Sequence, residues 1–257
     1  MKKKSIFSNN LLIILLLSSL SLWFVLISNI DNTLRVFVLN VGQGDSILIS
    51  KKHFQTLIDT GKGEVTLSKV KQYMPYGDNE IELLILSHLD SDHIGGTKNI
   101  IDHTKVDELW TLNWQKDTQT VKELKQIVED RKILTKFVRE GEKKNISFKE
   151  NELKIMSISP NININDSEGN NNSIVIKVTY GDIDFLLTGD LESEGEKRLI
   201  DNNTDIKPEI LKVGHHGSKS SSSQEFLEKI KPEISIISVG KNSYGHPNQD
   251  VLDRLNI

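Results

Sequence analysis

The chain has 257 residues, of which 37% are hydrophobic and 26% are charged, a composition typical of globular proteins. It contains no cysteine, which excludes disulfide bonds, thiolate metal ligands, iron–sulfur clusters and a thiol nucleophile. The formal net charge is −4, and because three lysines precede every other charged residue, the remainder carries −4 − 3 = −7. That balance argues against a broad nucleic-acid-binding surface, although it leaves room for a local basic track.

The N-terminal segment differs in composition from the rest of the chain. Residues 11–30, LLIILLLSSLSLWFVLISNI, carry no charge. Twenty helical residues span roughly 30 Å, the hydrocarbon thickness of a bilayer. We therefore expect residues 1–30 to form an uncleaved transmembrane anchor, with a cleaved signal peptide and a buried core helix as the alternatives. Lysines 2–4 would stay in the cytoplasm, so residues 31–257 would lie outside the cell membrane, or be secreted after signal cleavage.

From residue 34 onward, short strands alternate with modest helices. β-Branched and apolar runs predict strands at 35–41, 45–50, 55–61 and 81–87, and helical spacing predicts helices at 65–74 and 120–132. Further along, the pattern predicts a hairpin at 173–190, a strand at 209–213, a helix at 224–231 and a strand at 233–240. The Asn-rich stretch 161–172 and the Ser-rich stretch 218–223 are predicted to be mobile loops. Hairpins joined by helices predict a layered α/β architecture.

Histidines and aspartates cluster directly after the strand at 81–87. The sequence HLDSDH places His88, Asp90, Asp92 and His93 within six residues, and two glycines follow that permit a tight turn into a helix. Imidazole and carboxylate groups are standard ligands of zinc and manganese. We expect His88 and Asp90 to bind one ion while Asp92 and His93 bind a second. A solvated acidic loop with incidental histidines is the disfavoured alternative, because the chain has only seven histidines.

Two further groups of candidate ligands also follow predicted strands. Asp190 closes the hairpin at 173–190, where a carboxylate can bridge two metal ions. His215 and His216 follow the strand at 209–213. One histidine of this pair would be a ligand, and the other would orient substrate or move protons.

Five other polar residues stand at or near these strand ends. Asp45 follows two glycines, Asp59 ends a strand, and His246 lies in a Gly/Pro turn. Each has an ordinary structural alternative, as a turn residue, a turn cap and a surface histidine respectively. Lys212 and Lys219 flank the histidine pair and would add positive charge for an anionic substrate.

The order of these motifs carries a family resemblance. They read VGQGDS, LIDTG, SHLDSDHIGG, NNSIVI, LLTGD, LKVGHHGS and YGHP between residues 35 and 248. This pattern resembles the metallo-β-lactamase superfamily, and within it the hydrolase domain of ComEC-type DNA-uptake (competence) proteins and their stand-alone relatives. The superfamily signature is H-x-H-x-D-H, and this subfamily has H-x-D-x-D-H, as here. The resemblance implies a four-layer αββα sandwich with metal at one sheet edge, here preceded by the N-terminal transmembrane helix.

Carried over residue by residue, the resemblance implies one or two divalent ions, zinc or manganese. The implied ligands are His88, Asp90, Asp92, His93, Asp190 and one of His215 or His216. Another histidine common in the superfamily is replaced here by Asn171, Asn172 or Ser173, which weakens the first metal site. Relatives continue through a final helix and one or two strands, so we expect the hydrolase domain, residues 31–257, to be short at its C-terminus.

These residues predict a metal-dependent hydrolase, and the resemblance favours a phosphodiesterase or nuclease that acts on DNA outside the membrane. A metal lowers the pKa of bound water from about 16 to near 7, which gives hydroxide at neutral pH. Asp92, His215 and His246 are the candidate catalytic residues. Asp45, Asp59, Asn172 and Ser173 would support the ligands or contact the substrate.

Two alternatives to a DNA nuclease stay open. The first is an esterase acting on another phosphoester or a small molecule, and the second is an inactive membrane-anchored binding module. β-Lactam hydrolysis is disfavoured because Asp90 replaces a histidine that the lactamases use. The expected partners are the phosphoester substrate, the membrane through the N-terminal helix, and DNA-uptake machinery beside which the chain would serve.

Overall fold

The computed structural model describes residues 3–28, 33–114, 116–159, 169–202 and 205–256. The chain divides into two compact units, residues 1–33 and residues 34–257. The first unit contains one helix, α1 (Lys3–Ser28). Within the described residues, no helix combines the length and the apolar character needed to cross a membrane. The anchor expected at residues 1–30 therefore stays a prediction.

The second unit is built on two six-stranded sheets and a small two-stranded one. The first sheet has the strand order β1-β2-β3-β5-β7-β8, and the second has the order β14-β13-β12-β11-β10-β9. The strands of the first half are β1 (Arg35–Val38), β2 (Ile47–Lys51), β3 (Phe54–Ile58), β4 (Glu80–Ile81), β5 (Leu83–Ile85), β6 (Lys105–Val106), β7 (Glu108–Thr111) and β8 (Leu134–Phe137). The strands of the second half are β9 (Lys143–Ser147), β10 (Glu152–Ser157), β11 (Ile176–Tyr180), β12 (Ile183–Leu187), β13 (Ile210–Lys212) and β14 (Ile234–Ile236).

Helices cover the outer face of each sheet. They are α2 (Val65–Tyr73), α3 (Ser91–Ile94), α4 (Thr97–His103), α5 (Gln119–Asp130), α6 (Ser193–Asp201), α7 (Gln224–Ile230) and α8 (Gln249–Leu255). Side chains alternate along the strands, so that Leu48 packs in the helix-side cluster while its neighbours Ile47 and Ile49 pack between the sheets. On the other side, Phe226 and Ile230 of α7 pack with Leu211 of β13. The layers therefore run α, β, β, α, and the predicted sandwich is confirmed.

Strand direction decides where functional side chains gather. β3, β5, β7 and β8 are mutually parallel, and so are β12, β13 and β14. The carboxyl ends of parallel strands meet at one edge of a sheet, and ligands bind in the crevice outside those ends. The predicted motifs at residues 59, 88, 190 and 215 all follow such ends.

The structure contains several strands and helices that the sequence did not predict. Strands β6 to β10 and helices α6 and α8 were not predicted, because short segments rich in charged residues show weak periodicity. Most of the Asn-rich stretch lies outside the described residues, and its end forms a single 3₁₀ turn at Asn170–Asn172.

The Ser-rich stretch 218–223 is held in place by hydrogen bonds, in contrast to the mobile loop expected. The buried Glu196 carboxylate accepts hydrogen bonds from the backbone amides of Ser222 and Ser223. From the other side, the Arg254 guanidinium donates to the carbonyl groups of Ser221 and Ser222. These contacts fix the start of α7 beside the histidine pair.

Candidate metal centre

The ends of β3 and β5 are tied together by one carboxylate. Asp59, which follows β3, accepts hydrogen bonds from the Ser87 amide at 2.7 Å and the Ser87 hydroxyl at 2.6 Å. Its second oxygen faces Nδ1 of His93 at 2.8 Å. Asp59 therefore fixes the ring of His93 so that its other nitrogen, Nε2, points away from the sheet end.

The ring nitrogens of three histidines point at Asp190, which follows β12. Nε2 of His93 lies 3.2 Å from Oδ1 of Asp190, and Nε2 of His88 lies 3.8 Å from Oδ2. Nε2 of His216 lies 3.5 Å from the same Oδ2 and 3.4 Å from the carboxylate of Asp92. The sequence motif and two distant strand ends thus supply one convergent set of nitrogen and oxygen atoms.

The structure separates the roles of His215 and His216. The His216 side chain is only 2% exposed, and its Nδ1 lies 2.8 Å from the Ser238 carbonyl, which directs Nε2 into the cluster. The His215 side chain is 22% exposed, with Nδ1 3.1 Å from Glu192 and Nε2 3.8 Å from Asp190. Both residues have positive φ, at 45° and 54°, a strained conformation of the kind that concentrates at functional sites.

The convergent atoms fit a divalent metal ion. Within the described part of the chain, Nε2 of His88, His93 and His216 and Oδ1 of Asp190 are buried without a hydrogen-bond partner. A buried polar atom left in this state costs roughly 1–3 kcal/mol, which a bound cation would relieve. Ligand atoms of His88, His93 and Asp190 lie within 4.8 Å of one another, as do those of Asp92, His93 and His216. Imidazole nitrogen and carboxylate oxygen suit zinc or manganese.

Asp90 stands apart from this cluster. Its half-exposed carboxylate pairs with Nζ of Lys116, in the loop that follows β7. Asp90 belongs to none of the groups of converging ligand atoms found among the described residues. The expected pairing of His88 with Asp90 is therefore not the arrangement seen here, where His88 faces His93 and Asp190.

The residues that replace the superfamily's additional histidine support the backbone. The Ser173 hydroxyl donates to the Asn170 carbonyl at 2.7 Å and accepts from the Asp190 amide at 3.2 Å. The side-chain oxygen of Asn171 accepts from the amides of Glu192 and Gly195. Asn172 lies in the same 3₁₀ turn. This turn positions Asp190 through hydrogen bonds to its own and neighbouring amides.

The two lysines expected near the substrate have other partners. Lys212 is 1% exposed, and its Nζ pairs with the buried carboxylate of Asp45 and donates to the Gly189 carbonyl at 2.9 Å. Lys212 is therefore a buried counter-charge for Asp45, and whether its charge also favours an anionic substrate stays a prediction. Lys219 is exposed and lies 3.7 Å from Asp250.

Asp45 links this lysine to the histidines from behind. Oδ1 of Asp45 lies 3.5 Å from Nδ1 of His216, and Oδ2 lies 4.0 Å from Nδ1 of His93. Both contacts are made on the side of each ring opposite the converging Nε2 atoms. Outer groups of this kind orient metal-binding imidazoles and raise their basicity. His246 lies on the exposed side, with its ring centroid 5.3 Å from that of His215.

Burial and the carboxylates divide the histidines into two classes. Burial, reinforced by the charge of His93, lowers the pKa of His88 to about 4, so His88 is neutral at pH 7. Burial alone would lower the pKa of His93, but Asp190 and Asp59 outweigh it and raise that pKa well above 6.5. Burial also opposes the charge on His216, yet the nearby carboxylates of Asp45 and Asp92 raise its pKa to about 9.

Metal affinity should therefore increase with pH. In the metal-free protein His216 binds a proton below about pH 9, and a metal that takes its Nε2 must release that proton. Apparent affinity should rise about tenfold per pH unit for each proton released, until the histidine is neutral without metal. Competition with a chelator of known affinity at pH 6, 7 and 8 measures the slope. An affinity that is flat over this range would contradict the assignment.

Asp59 should tune metal binding without being a ligand. Replacing Asp59 with asparagine keeps the shape but removes the charge that faces Nδ1 of His93. We expect metal affinity to fall by roughly 10- to 100-fold, the range typical of groups behind a ligand. Asp78→Asn, at the opposite end of the strands, is the matched control. Equal metal affinity of Asp59→Asn and the unmodified chain would show that Asp59 is only structural.

The sequence alone did not indicate three contributors to this site. Ser87 directly precedes His88 at the end of β5, a position that could have suggested a polar partner for Asp59. Glu192 lies two residues after Asp190 but belongs to no recognisable motif. Lys116 reaches Asp90 from a loop 26 residues away in sequence, and no local signal indicates such a contact.

Comparisons with known proteins agree with this geometry. A family model described as the metallo-beta-lactamase superfamily matches residues 39–131 and 168–241. The chain is 33% identical over 241 residues to ComE operon protein 3 of Bacillus subtilis, covering 86% of this chain and 30% of that protein. It is also 33% identical over 228 residues to Recombination protein 2 of Haemophilus influenzae, covering 87% of this chain and 26% of that protein.

Solved structures show the same fold at low sequence identity. The metallo-beta-lactamase fold protein YhfI of Bacillus subtilis superposes with a TM-score of 0.54 and 12% identity, covering 86% of this chain and 91% of that one. The chain spans under a third of the length of the two curated relatives named above. The predicted resemblance to ComEC-type competence proteins is confirmed, and the chain belongs to the metallo-β-lactamase superfamily.

Proposed function

We propose that the chain is a metal-dependent phosphodiesterase that cleaves DNA. The observation that carries the proposal is the convergence of three Nε2 atoms without hydrogen-bond partners on Asp190, beside the partly exposed His215. A bound divalent ion would supply an acidic water and a positive charge for a phosphoryl group in the transition state. The residues that would hold it are His88, Asp92, His93, Asp190 and His216.

His215 is placed to donate a proton to a group bound at the edge of the metal centre. The Glu192 carboxylate accepts hydrogen bonds from the Asn170 amide group at 3.2 Å and the Ser220 hydroxyl at 2.8 Å, which fixes it beside Nδ1 of His215. Glu192 therefore favours a proton on Nδ1 and turns Nε2 toward Asp190. An imidazole held in this way can give a proton to a departing oxygen from Nε2 when it is charged. His246, alongside it, would contact a phosphate oxygen.

The choice of DNA as substrate rests on the relatives. Matched proteins carry the names Competence protein ComA and Recombination protein 2, which favour a role in DNA uptake or processing. The uncharged run at residues 11–30 and the lysines before it support a placement outside the membrane, beside uptake machinery. Another phosphoester or a small molecule remains the alternative substrate, and an inactive binding module is the alternative class.

The test uses the full chain, purified in mild detergent and supplied with manganese or zinc. We expect it to hydrolyse bis(p-nitrophenyl) phosphate and to cleave DNA, and to lose both activities with a chelator. His215→Gln should lower the maximal rate while metal content stays unchanged, whereas His53→Gln, an exposed histidine of the β2–β3 turn, should match the unmodified chain. Full activity in excess chelator would overturn the proposal. Inactivity of a folded, metal-loaded chain on both substrates would also overturn it.

A further inference from the structure

Two aromatic side chains lie at the same sheet edge as the metal centre but take no part in it. Phe137, the last residue of β8, is 50% exposed. Its ring meets that of Trp114 edge-on at 5.9 Å, and Trp114 is itself only partly buried. Together the two rings form a partly exposed aromatic surface at this edge of the sheet.

Strand order connects this pair to the metal centre. β5, β7 and β8 are parallel neighbours, so Phe137 at the end of β8 lies two strands from the end of β5, where His88 follows. Two strand spacings amount to roughly 10 Å. Lys116, two residues after Trp114, lies between this pair and the metal centre, because it pairs with Asp90 of the motif at residues 88–93. We call Phe137, Trp114, Lys116 and Arg139 the aromatic track.

The segment around β8 is more basic than the chain as a whole. Residues 131–144 contain six basic and two acidic residues. Arg131 pairs with Asp102, and Lys136 and Lys144 pair with Glu108, so the balance with these two outside partners included is 6 − 4 = +2, in a chain of net charge −4. Arg139, directly beyond β8, is exposed. Alternating basic and aromatic side chains along a groove are the usual means of holding unpaired nucleic acid, because every base offers a face for stacking.

We propose that single-stranded nucleic acid reaches the metal centre along the aromatic track, with unpaired bases stacked on Phe137 and Trp114. Lys116 and Arg139 contact the phosphates on either side of these bases. A duplex hides the faces of its bases, so the track selects unpaired strands. The inference rests on the proposed function in one respect, that the strand held here is cut at the metal centre.

Binding and hydrolysis are measured separately, so that the two proposals can fail independently. A fluorescently labelled thymidine 20-mer is titrated with the full chain in chelator, and its anisotropy gives the dissociation constant without cleavage. Hydrolysis of bis(p-nitrophenyl) phosphate, which is too small to reach the track, reports on the metal centre. The variants are Trp114→Ala, Phe137→Ala and the matched control Tyr76→Ala, a fully exposed tyrosine that precedes β4 at the opposite edge of the sheet.

We expect Trp114→Ala and Phe137→Ala each to weaken binding by roughly 5- to 150-fold, with unchanged hydrolysis of the small substrate. Tyr76→Ala should bind like the unmodified chain, and a duplex of equal length should compete poorly. Unchanged binding by Phe137→Ala, whose exposed ring can be removed without unfolding, would overturn the inference, as would equal affinity for the duplex. If the unmodified chain hydrolyses neither substrate but the track variants lose binding, the proposed function fails and this inference stands.

Discussion

Replacing Asp190 with asparagine is expected to abolish metal binding and hydrolysis while the fold is retained. Asp190 is the residue on which Nε2 of His88, His93 and His216 converge, at distances between 3.2 and 3.8 Å. Its burial alone would raise its pKa, but the charge of His93 holds that pKa well below the usual range, so the group is an anion at neutral pH. Asparagine keeps the shape and removes the charge. Metal affinity should fall by more than about 100-fold, beyond the range typical of supporting groups.

The measurement is metal content after dialysis, together with the melting temperature. Asp184→Asn is the matched control, because Asp184 lies on β12, the strand that precedes Asp190, and pairs with Lys177 away from the centre. The control should bind metal like the unmodified chain. A folded Asp190→Asn variant that retains its full metal content would show that the ligands have been assigned wrongly.

Replacing Lys212 with methionine is expected to cause the largest loss of stability. Lys212 is the ion-pair partner of Asp45, and both side chains are almost completely buried. Burial alone would raise the pKa of Asp45, but Lys212, assisted by His216 and His93, outweighs it and lowers that pKa to about 2. Without the lysine, an ionised carboxylate stays buried beside the centre. Breaking a buried ion pair from one side costs about 3–5 kcal/mol in the free energy of unfolding.

A double variant distinguishes lost charge balance from lost packing. Lys212→Met combined with Asp45→Asn removes both charges and should recover most of the stability lost by Lys212→Met alone, measured by urea unfolding of the metal-free chain. Lys98→Met breaks an exposed pair with Asp102 and should have little effect. If the double variant is no more stable than Lys212→Met, the lysine stabilises the fold through packing and its hydrogen bond to Gly189.

Sequence reasoning succeeded where one strand end carries several functional residues. The cluster of His88, Asp90, Asp92 and His93 was predicted because it directly follows an apolar run, and the structure brings all of these but Asp90 into the convergent set. Asp59 and Asp190 were found for the same reason. The alternation of strands and helices predicted a layered α/β architecture, and the resemblance to the metallo-β-lactamase superfamily implied its four layers.

The sequence does not indicate the direction of a side chain where that direction depends on contacts with residues distant in the chain. Asp90 precedes the short helix α3 and pairs with Lys116, a contact that the sequence does not indicate, and its role as a metal ligand stays a prediction. Lys212 belongs to a three-residue strand, too short for alternation to show which side chains face inward. The choice between His215 and His216 depends on two left-handed backbone conformations, which histidine adopts only under tertiary constraint.

The most direct test of the metal centre is anomalous X-ray diffraction from crystals of the chain grown with manganese or zinc. We expect an anomalous peak at ligand distance from Nε2 of His93, Nε2 of His216 and the carboxylate of Asp190. Both Nε2 atoms and Oδ1 of Asp190 are buried without hydrogen-bond partners. A peak there would establish that the convergent histidines hold the ion. A folded chain with full metal content and its anomalous signal elsewhere, for example on exposed acidic residues, would contradict the central claim.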